Sequence, residues 1–255
     1  MKNKKLFILL PLIALTACNS LGKEISESDA NDKSQAIVKK QNSAQVYSFS
    51  MKSVTNTKES KDTANYKIVK DASDNFMYSR EEKGSDGYQS SKTVYVFKPS
   101  EQETVLYVKA YSSATNKTTI EAYTKFGKVD EFENALSKQE AFISNLDSSF
   151  GEIQFYQSYL PGTNNCEKNS HYYSTGEGNL TAKLSFTFTD KQGSDSLKNI
   201  NRTYKYSNDL LVNFNATYVT FEGKKKTESA SVSYSNVKVN TPTDWQEHVM
   251  TSVSV

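Results

Sequence analysis

Apolar and polar side chains alternate at every second position through most of the chain after residue 44. The pattern is clearest at 180–188 and 210–218, where Ser, Thr, Lys or Asn separate the apolar residues. A period of two is typical of antiparallel β-strands that place one face on a core and the other in water. Gly, Pro, Asp and Ser mark the turns between the runs. The pattern predicts a mainly β (α+β) fold with a large antiparallel sheet of about ten strands, in one domain over 44–242.

Two runs depart from the simple alternation because apolar residues stand at consecutive positions. They are 94–97 and 105–108, which read Val-Tyr-Val-Phe and Val-Leu-Tyr-Val. Strands with no polar face are expected where both sides of a sheet are covered. These two strands are therefore predicted to be buried on both faces.

One segment has the period of a helix instead. Apolar residues from Val129 to Phe150 recur at spacings of three, four and seven, which places them on one helical face. Asp130 followed by Glu133 has the spacing of a capping box. The pattern predicts one amphipathic helix near 130–147 that covers the sheet. A second, shorter helix at 32–41 is an alternative to a flexible chain there.

The stretch 155–179 is the least regular, and it is predicted to be a long loop. It contains the lone mid-chain thiol Cys166 together with His171 and several tyrosines. Tyrosine gives rigid, amphipathic contact area, so the loop could be an interaction surface. Alternatively, it packs its own aromatic rings onto the sheet edge. The candidate interaction residues are Tyr156, Tyr159, Tyr172 and Tyr173.

The N-terminus has the pattern of an export signal. Lys2, Lys4 and Lys5 precede an apolar run, 6–15, that is too short to span a bilayer. The sequence Leu-Thr-Ala-Cys at 15–18 resembles the lipobox of bacterial lipoproteins. That resemblance implies that 1–17 is a cleaved signal peptide and that Cys18 carries diacylglyceryl and palmitate-type chains. It also implies anchoring in the cell membrane or outer membrane, facing the extracytoplasmic side.

The polar composition of 18–43 predicts a flexible tether behind the lipidated cysteine. Residues 243–255 are predicted to be a C-terminal tail. Cleavage before Cys18 would remove three lysines and no acids from a chain with 31 basic and 29 acidic residues, which leaves a net charge of −1. A near-neutral chain gives no electrostatic case for nucleic acid as a partner. Cys166 would be the only other thiol, so no intramolecular disulfide is expected.

Motifs for catalysis and metal binding are missing from the sequence. There is no Gly-x-Ser-x-Gly elbow, no phosphate-binding glycine loop, no dinucleotide fingerprint and no HExxH. Cys166 and His171 are five positions apart without an evident orienting group. We therefore predict a protein that is not an enzyme, with no catalytic residues, no metal site and no cofactor.

The order of strands, helix and strands over 45–239, behind a lipobox, resembles the bacterial lipoproteins of the LolA/LolB and LprG/LppX type. The resemblance implies a curved or half-barrel sheet whose concavity holds acyl chains. The sequence departs from that family in two respects, because its polar faces are dense in Ser, Thr, Asn and Lys, and because only one helix is predicted for the cavity.

Two functions follow from these expectations. In the first, the protein is a membrane-anchored carrier of a lipid or other hydrophobic ligand, held without catalysis between sheet and helix. The residues predicted to line that pocket are Phe132, Leu136, Ile143, Phe186, Phe188, Phe214 and Tyr218. In the second, it is a surface lipoprotein that binds a protein or glycan through the tyrosine-rich loop at 155–173. The presence of an apolar cavity between helix and sheet distinguishes the two.

Overall fold

A single antiparallel sheet organises the chain. The computed structural model describes residues 21–126, 128–157, 166–191 and 196–250. Twelve strands lie in the order β1-β8-β9-β10-β11-β12-β2-β3-β4-β5-β6-β7. The strands are β1 (Lys23–Ile25), β2 (Tyr47–Asn56), β3 (Lys61–Lys70), β4 (Phe76–Lys83), β5 (Gln89–Ser100), β6 (Glu103–Ser112), β7 (Lys117–Thr124), β8 (Cys166–Gly176), β9 (Asn179–Phe188), β10 (Leu197–Ser207), β11 (Leu210–Thr220) and β12 (Lys225–Ser233). The helices are α1 (Glu27–Ser43), α2 (Val129–Ser137), α3 (Glu140–Gln154) and a short 3₁₀ helix (Trp245–His248).

Two meanders build the sheet. Strands β2–β7 form one and β8–β12 the other, and they join where β12 pairs with β2, for example at Ala230 and Met51. The sheet is curved and does not close, because β1 and β7 are its two edges. The predicted fold class, a large antiparallel and curved sheet with few helices, is therefore confirmed.

The alternation in the sequence corresponds to the two faces of the sheet. In β9, Leu180, Ala182, Leu184 and Phe186 are all at most 2% exposed, and Thr, Lys and Ser between them face the other side. In β6, consecutive Val105 and Leu106 are both fully buried. Helix α2 packs on one side of this strand and Trp245 lies in the cluster on the other side. The prediction of strands buried on both faces is confirmed here.

The prediction of one helix at 130–147 is wrong, because the segment forms two helices. The amide of Gln139 donates to the carbonyl of Leu136 at 2.8 Å, a three-residue spacing that tightens the chain between α2 and α3. The break lets α2 follow β6 and β7 while α3 runs toward β3. The predicted capping box is also absent: α2 begins at Val129, and its N-cap Lys128 makes no side-chain capping bond.

The flexible tether predicted for 18–43 is wrong from residue 21 onward, and the alternative of a helix at 32–41 is confirmed, as part of the longer α1. Strand β1 pairs with β8, and α1 buries Ala30 and Ile37 in the main core. Ser26 and Asp29 form the capping box of α1, since each side chain bonds the backbone amide of the other. Ser34 and Gln41 are buried on the same face, so the buried face of α1 is partly polar and the sequence shows no clear apolar helical period there.

Two other irregular segments are also more ordered than predicted. Residues 166–176 of the predicted loop form β8, which pairs with β9 along its length, so the loop prediction is wrong there. The predicted C-terminal tail packs back on the sheet: Trp245 lies 6.4 Å from Phe97, and Val249 forms a bridge with Ala122. No helix in the part of the chain that the structure describes is long and apolar enough to cross a membrane.

Candidate binding site on the helix-covered face

The three α-helices cover the same face of the sheet, which we call the helix face. Side chains directly opposite each other on neighbouring strands share a face, and one such row runs from Phe49 through Ile68, Tyr78 and Val94 to Val108. Residues of α1 and α3 pack on the first part of this row, and residues of α2 pack on the last part. The helices therefore fill most of this face.

Helix α3 is held at its centre by aromatic contacts and one polar contact. The ring of Phe150 lies 4.6 Å from that of Phe49 and 5.0 Å from that of Tyr47. The hydroxyl of Tyr78 donates to Asp147 at 3.0 Å, and Lys70 Nζ lies 3.8 Å from the same carboxylate. Burial, together with the charge of Asp147, raises the pKa of Tyr78. These contacts fix α3 over β2–β4.

The end of α3 is joined to α1 through Tyr156. Its hydroxyl donates to the carbonyl of Ala30 at 2.9 Å, and its amide donates to the hydroxyl of Tyr206 at 3.1 Å. The side chain is only 3% exposed, and burial raises the pKa of Tyr156 to about 12. Tyr156 therefore belongs to the core between two helices and the sheet.

One cross-strand row on this face changes from apolar to polar, and we call it the amphipathic row. The row crosses β9, β10, β11, β12, β2 and β3 in that order. Its residues are Phe186, Ile200, Tyr218, Lys226, Thr55 and Asp62. Phe186 and Ile200 are buried, whereas Lys226 is exposed. Tyr218 stands at the boundary, with Lys226 Nζ 5.6 Å from the centre of its ring.

At the polar end of this row the helix face is open. A hollow of about 590 Å³, which we call the cradle, lies over β2, β3 and β4. Its lining on this face includes Ser53, Thr55, Asp62, Tyr66, Glu82 and Lys226. The cradle thus presents hydroxyls, one aromatic ring and charges of both signs to solvent.

On the β10–β12 side, a chain of polar contacts lies behind the lining residue Lys226, and we call it a wall of the cradle. Arg202 Nη2 donates to the hydroxyl of Tyr218 at 3.1 Å, and that hydroxyl donates to Glu228 at 2.9 Å. Lys226 Nζ pairs with Glu228 at 2.7 Å. Burial and the Glu228 carboxylate raise the pKa of Tyr218, so it stays a neutral donor. This wall is a fixed array of donors and charges.

The opposite wall lies on β4 and β5. Arg80 and Glu82 form an ion pair, and the guanidinium carbon of Arg80 lies 5.7 Å from the centre of the Tyr66 ring. Lys92 is opposite Arg80, and its ammonium lies 4.8 Å from the centre of the Phe142 ring of α3. Burial lowers the pKa of Lys92. This wall links the cradle to the start of α3.

The cradle offers a ligand charged groups and hydrogen-bonding side chains. Across the described ranges, no group of three or more His, Cys, Asp or Glu could hold a metal ion. Cys166 and His171 do not form a pair: the thiol lies 3.8 Å from the carbonyl of Glu167, and the imidazole lies 2.8 Å from Glu24. The arrangement fits a ligand with a charged or zwitterionic end.

The structure does not bring the seven predicted ligand residues to one pocket. Phe186 and Phe214 are buried in the main core, with Phe188 and Tyr218 partly buried against it. Phe132 and Leu136 pack instead in a separate cluster over β5 and β6, and Ile143 contacts both clusters. The prediction of a single shared lining is wrong because the helix breaks. Of the seven, Tyr218 is the one beside Lys226 at the edge of the cradle.

The predicted interaction tyrosines are also separated. Tyr156 and Tyr172 are 3% and 4% exposed, so the prediction that they form an exposed contact surface is wrong. Tyr173 lies on the opposite face of the sheet, because it alternates with Tyr172 along β8. Tyr159 and the proposed lipidation site Cys18 lie outside the described residues.

Several polar residues that line the cradle or contact its lining were not identified from the sequence. Arg202, Glu228 and Lys226 occupy positions where the alternation places inward-facing side chains, next to Tyr204 and Ala230 along their strands. A charged residue at an inward position of a strand was the available signal. Tyr66, Arg80 and Glu82 give the same signal on β3 and β4.

Comparisons with known proteins give distant structural neighbours. No family model and no curated protein matches the chain. A DUF1329 family protein from Desulfovibrio piger is 11% identical, with 86% of this chain and 97% of that chain covered, at a TM-score of 0.22. A putative outer membrane lipoprotein-sorting protein domain from Vibrio parahaemolyticus is 8% identical (85% and 95% covered, TM-score 0.22). A LolA superfamily protein from Nitrosomonas europaea is 9% identical (86% and 96% covered, TM-score 0.19). These low identities and TM-scores carry no function over to this chain.

Proposed function

We propose that this chain is a membrane-anchored, non-catalytic protein that binds an amphipathic, lipid-like ligand on the helix face. Acylation of Cys18 would hold it on the extracytoplasmic side of the cell membrane or outer membrane. The charged end of the ligand sits in the cradle, and its apolar part extends along the amphipathic row toward Ile200 and Phe186.

The observation that carries this proposal is the change of character along one row of directly opposed side chains. Lys226 and Asp62 at one end are matched to a polar group, and Phe186 and Ile200 at the other end are matched to a hydrocarbon. Small-molecule sites commonly combine an apolar lining with a few placed polar groups. Phe186 and Ile200 are at most 2% exposed, so uptake of a tail requires part of their cover to move.

The proposal is tested by filling the cradle without altering the core. Ala64 lines the cradle on β3, and the neighbouring Asn65 points to the opposite face. We expect Ala64→Trp to weaken binding of the fluorescent fatty acid cis-parinaric acid at least about tenfold, because the indole occupies the space of the carboxylate end. Asn65→Trp is the matched control and should bind like the parent chain. Equal binding by all three proteins, or none by the parent chain, would contradict the proposal.

A further inference from the structure

The face of the sheet opposite the helices carries an excess of lysine, and we call it the lysine face. Two adjacent cross-strand rows define it. One runs from His171 through Lys183, Lys52 and Glu81 to Thr118, and the other from Tyr173 through Lys205 and Lys67 to Ile120. Together these rows hold five lysines, the fifth being Lys109, and two carboxylates, Glu81 and, where the second row continues into β1, Glu24 beside His171. Asn, Ser and Thr occupy most other positions.

The lysines of this face are not neutralised by neighbouring acids. Within the described part of the chain, none of the five forms an ion pair. Lys52, Lys67 and Lys109 are exposed, and Lys183 and Lys205 are partly exposed. The face is therefore locally basic in a chain whose processed form has a net charge of −1. Such a face is complementary to an anionic surface.

The first residues that the structure describes lie at this same face. Leu21 lines a hollow of about 220 Å³ together with Tyr173, Thr181 and Lys205, which belong to the second lysine row. Gly22 follows with a φ of +85°, and a Cβ there would collide with the carbonyl of Ser174. Only glycine fits this close approach. The path of the chain at 21–22 is thus fixed beside the lysines.

The distance between the proposed lipid anchor and this face is short. Leu21 is three positions after Cys18 in the sequence, and an extended chain covers at most about 11 Å over three residue steps. The polar segment that would have been a long spacer is instead folded as β1 and α1. Charges interact across roughly 8–10 Å at physiological ionic strength. An acyl chain on Cys18 would therefore hold the lysine face within reach of lipid headgroups.

We propose that the lysine face docks on the anionic headgroups of the membrane that holds the Cys18 lipid. In this orientation the helix face and its cradle point away from the bilayer. The occupant of the lysine face is the membrane surface itself, and the site depends on charge rather than on a shaped pocket.

The first test uses the unacylated chain 19–255, so that vesicle binding by the lysine face is measured without the lipid anchor. We expect it to cosediment with vesicles of equal phosphatidylglycerol and phosphatidylcholine, and not with pure phosphatidylcholine. Replacing Lys52, Lys67, Lys183 and Lys205 by Gln should lower the partition coefficient about 100-fold. The control carries the same charge change at Lys33, Lys39, Lys40 and Lys138, on the helices and the turn after α2, and should lose much less. Equal losses in the two quadruple variants, or a parent chain that binds soluble polyphosphate but not these vesicles, would overturn the proposal.

The second test uses the acylated protein in vesicles of the same mixed composition. A nitrobenzoxadiazole label is placed at Asn65→Cys on the lysine face or at Lys138→Cys in the turn after α2, in both cases with Cys166→Ser. A quencher attached to the lipid headgroup should reduce the emission of the label at 65 several-fold more than that of the label at 138. Equal or reversed quenching would show that the face does not lie on the membrane, whatever ligand the cradle binds.

Discussion

The helix face contains two neighbouring regions that share cross-strand rows but differ in their cover. Over β9–β11 the inward side chains are mostly apolar, and Phe186, Ile200 and Phe214 are at most 2% exposed. The rows at Thr55, Asp62 and Glu82 of β2–β4 are open, whereas α3 covers the part of β2 and β4 around Phe49 and Tyr78. The comparison shows that the helices cover the rows that would lose most from contact with water, and that the open region is left for polar contacts.

Two arginines make the comparison direct. Arg202 in the covered region and Arg80 in the open region each lie over a tyrosine ring, at 5.4 Å and 5.7 Å from its centre. Arg202 is 7% exposed, while the side chain of Arg80 is 39% exposed. The same pairing of residue types is therefore buried in one region and solvated in the other. If burial of the arginine determines how much each contact stabilises the fold, alanine substitution of the two arginines should lower the free energy of unfolding by different amounts.

The largest effect is expected where α3 packs on the covered part of β2. Phe150→Ala removes a ring that is 2% exposed and packs against Phe49 and Tyr47. We expect a loss of about 4 kcal/mol in the free energy of unfolding, because the cavity cannot collapse fully. Phe126→Ala is the control, since this side chain is 69% exposed, and it should change stability by at most about 0.5 kcal/mol. Urea unfolding followed by circular dichroism measures both. Similar losses in the two variants would contradict the division into regions.

The arginine pair gives the next largest effect. Arg202→Ala removes the guanidinium that donates to the hydroxyls of buried Tyr204 and partly buried Tyr218, and we expect a loss of about 3 kcal/mol. Arg80→Ala breaks an ion pair with Glu82 that solvent screens, and we expect a loss below about 1 kcal/mol. The measurement is the difference between the urea midpoints of the two variants, compared at equal m-values. An equal loss of unfolding free energy in the two variants would mean that solvent exposure does not determine how much these contacts stabilise the fold.

The covered region should also respond to alkaline pH through Tyr156. The phenol has a pKa of about 12 in the fold against 10.0 without it, so its contribution to stability is complete below pH 10 and is lost as pH rises toward 12. At pH 7, Tyr156→Phe should cost about 1 kcal/mol, because it deletes the bond to Ala30. Above roughly pH 11 the variant should become the more stable protein, since phenylalanine does not ionise. Urea unfolding at pH 7 and pH 11.5 tests this reversal, and a constant difference would contradict it.

Local patterns in the sequence were sufficient for most of the strands, but not for β1, β8 or all the helices. In β9 every second residue is apolar, so the face that packs on the core could be predicted from that strand alone. In α1 the buried face includes Ser34 and Gln41, and Gln41 bonds Tyr234 and the amide of Leu211, which are distant in the sequence. A helix whose buried face is satisfied by distant polar partners has no clear apolar period.

The cradle could not be predicted for a related reason. It depends on the pairing of β12 with β2, which brings Lys226 beside Thr55 across a separation of 171 residues. No local pattern specifies that pairing. Of the predicted ligand residues, only Tyr218 lies at the edge of the cradle. The sequence predicts its strand β11, but it does not predict that Lys226 of β12 lies opposite Tyr218. The sequence does show charged residues, Arg202 and Glu228, at positions that the alternation places on the inward face of β10 and β12, and such residues indicate a polar site on that face.

The smallest effect on stability, and the most specific effect on binding, is expected at the polar end of the amphipathic row. Lys226 pairs with Glu228 but its side chain is 47% exposed, so Lys226→Gln should change the free energy of unfolding by less than about 0.5 kcal/mol. If Lys226 holds the charged end of the ligand, the same change should weaken binding of cis-parinaric acid about tenfold, and binding of its uncharged methyl ester much less. Lys225→Gln is the matched control, because Lys225 is next in the chain and faces the other side of the sheet. Fluorescence titration of the acid and the ester against the three proteins separates charge recognition from hydrophobic contact. Equal weakening by the two variants would show that the open region does not recognise the carboxylate through Lys226.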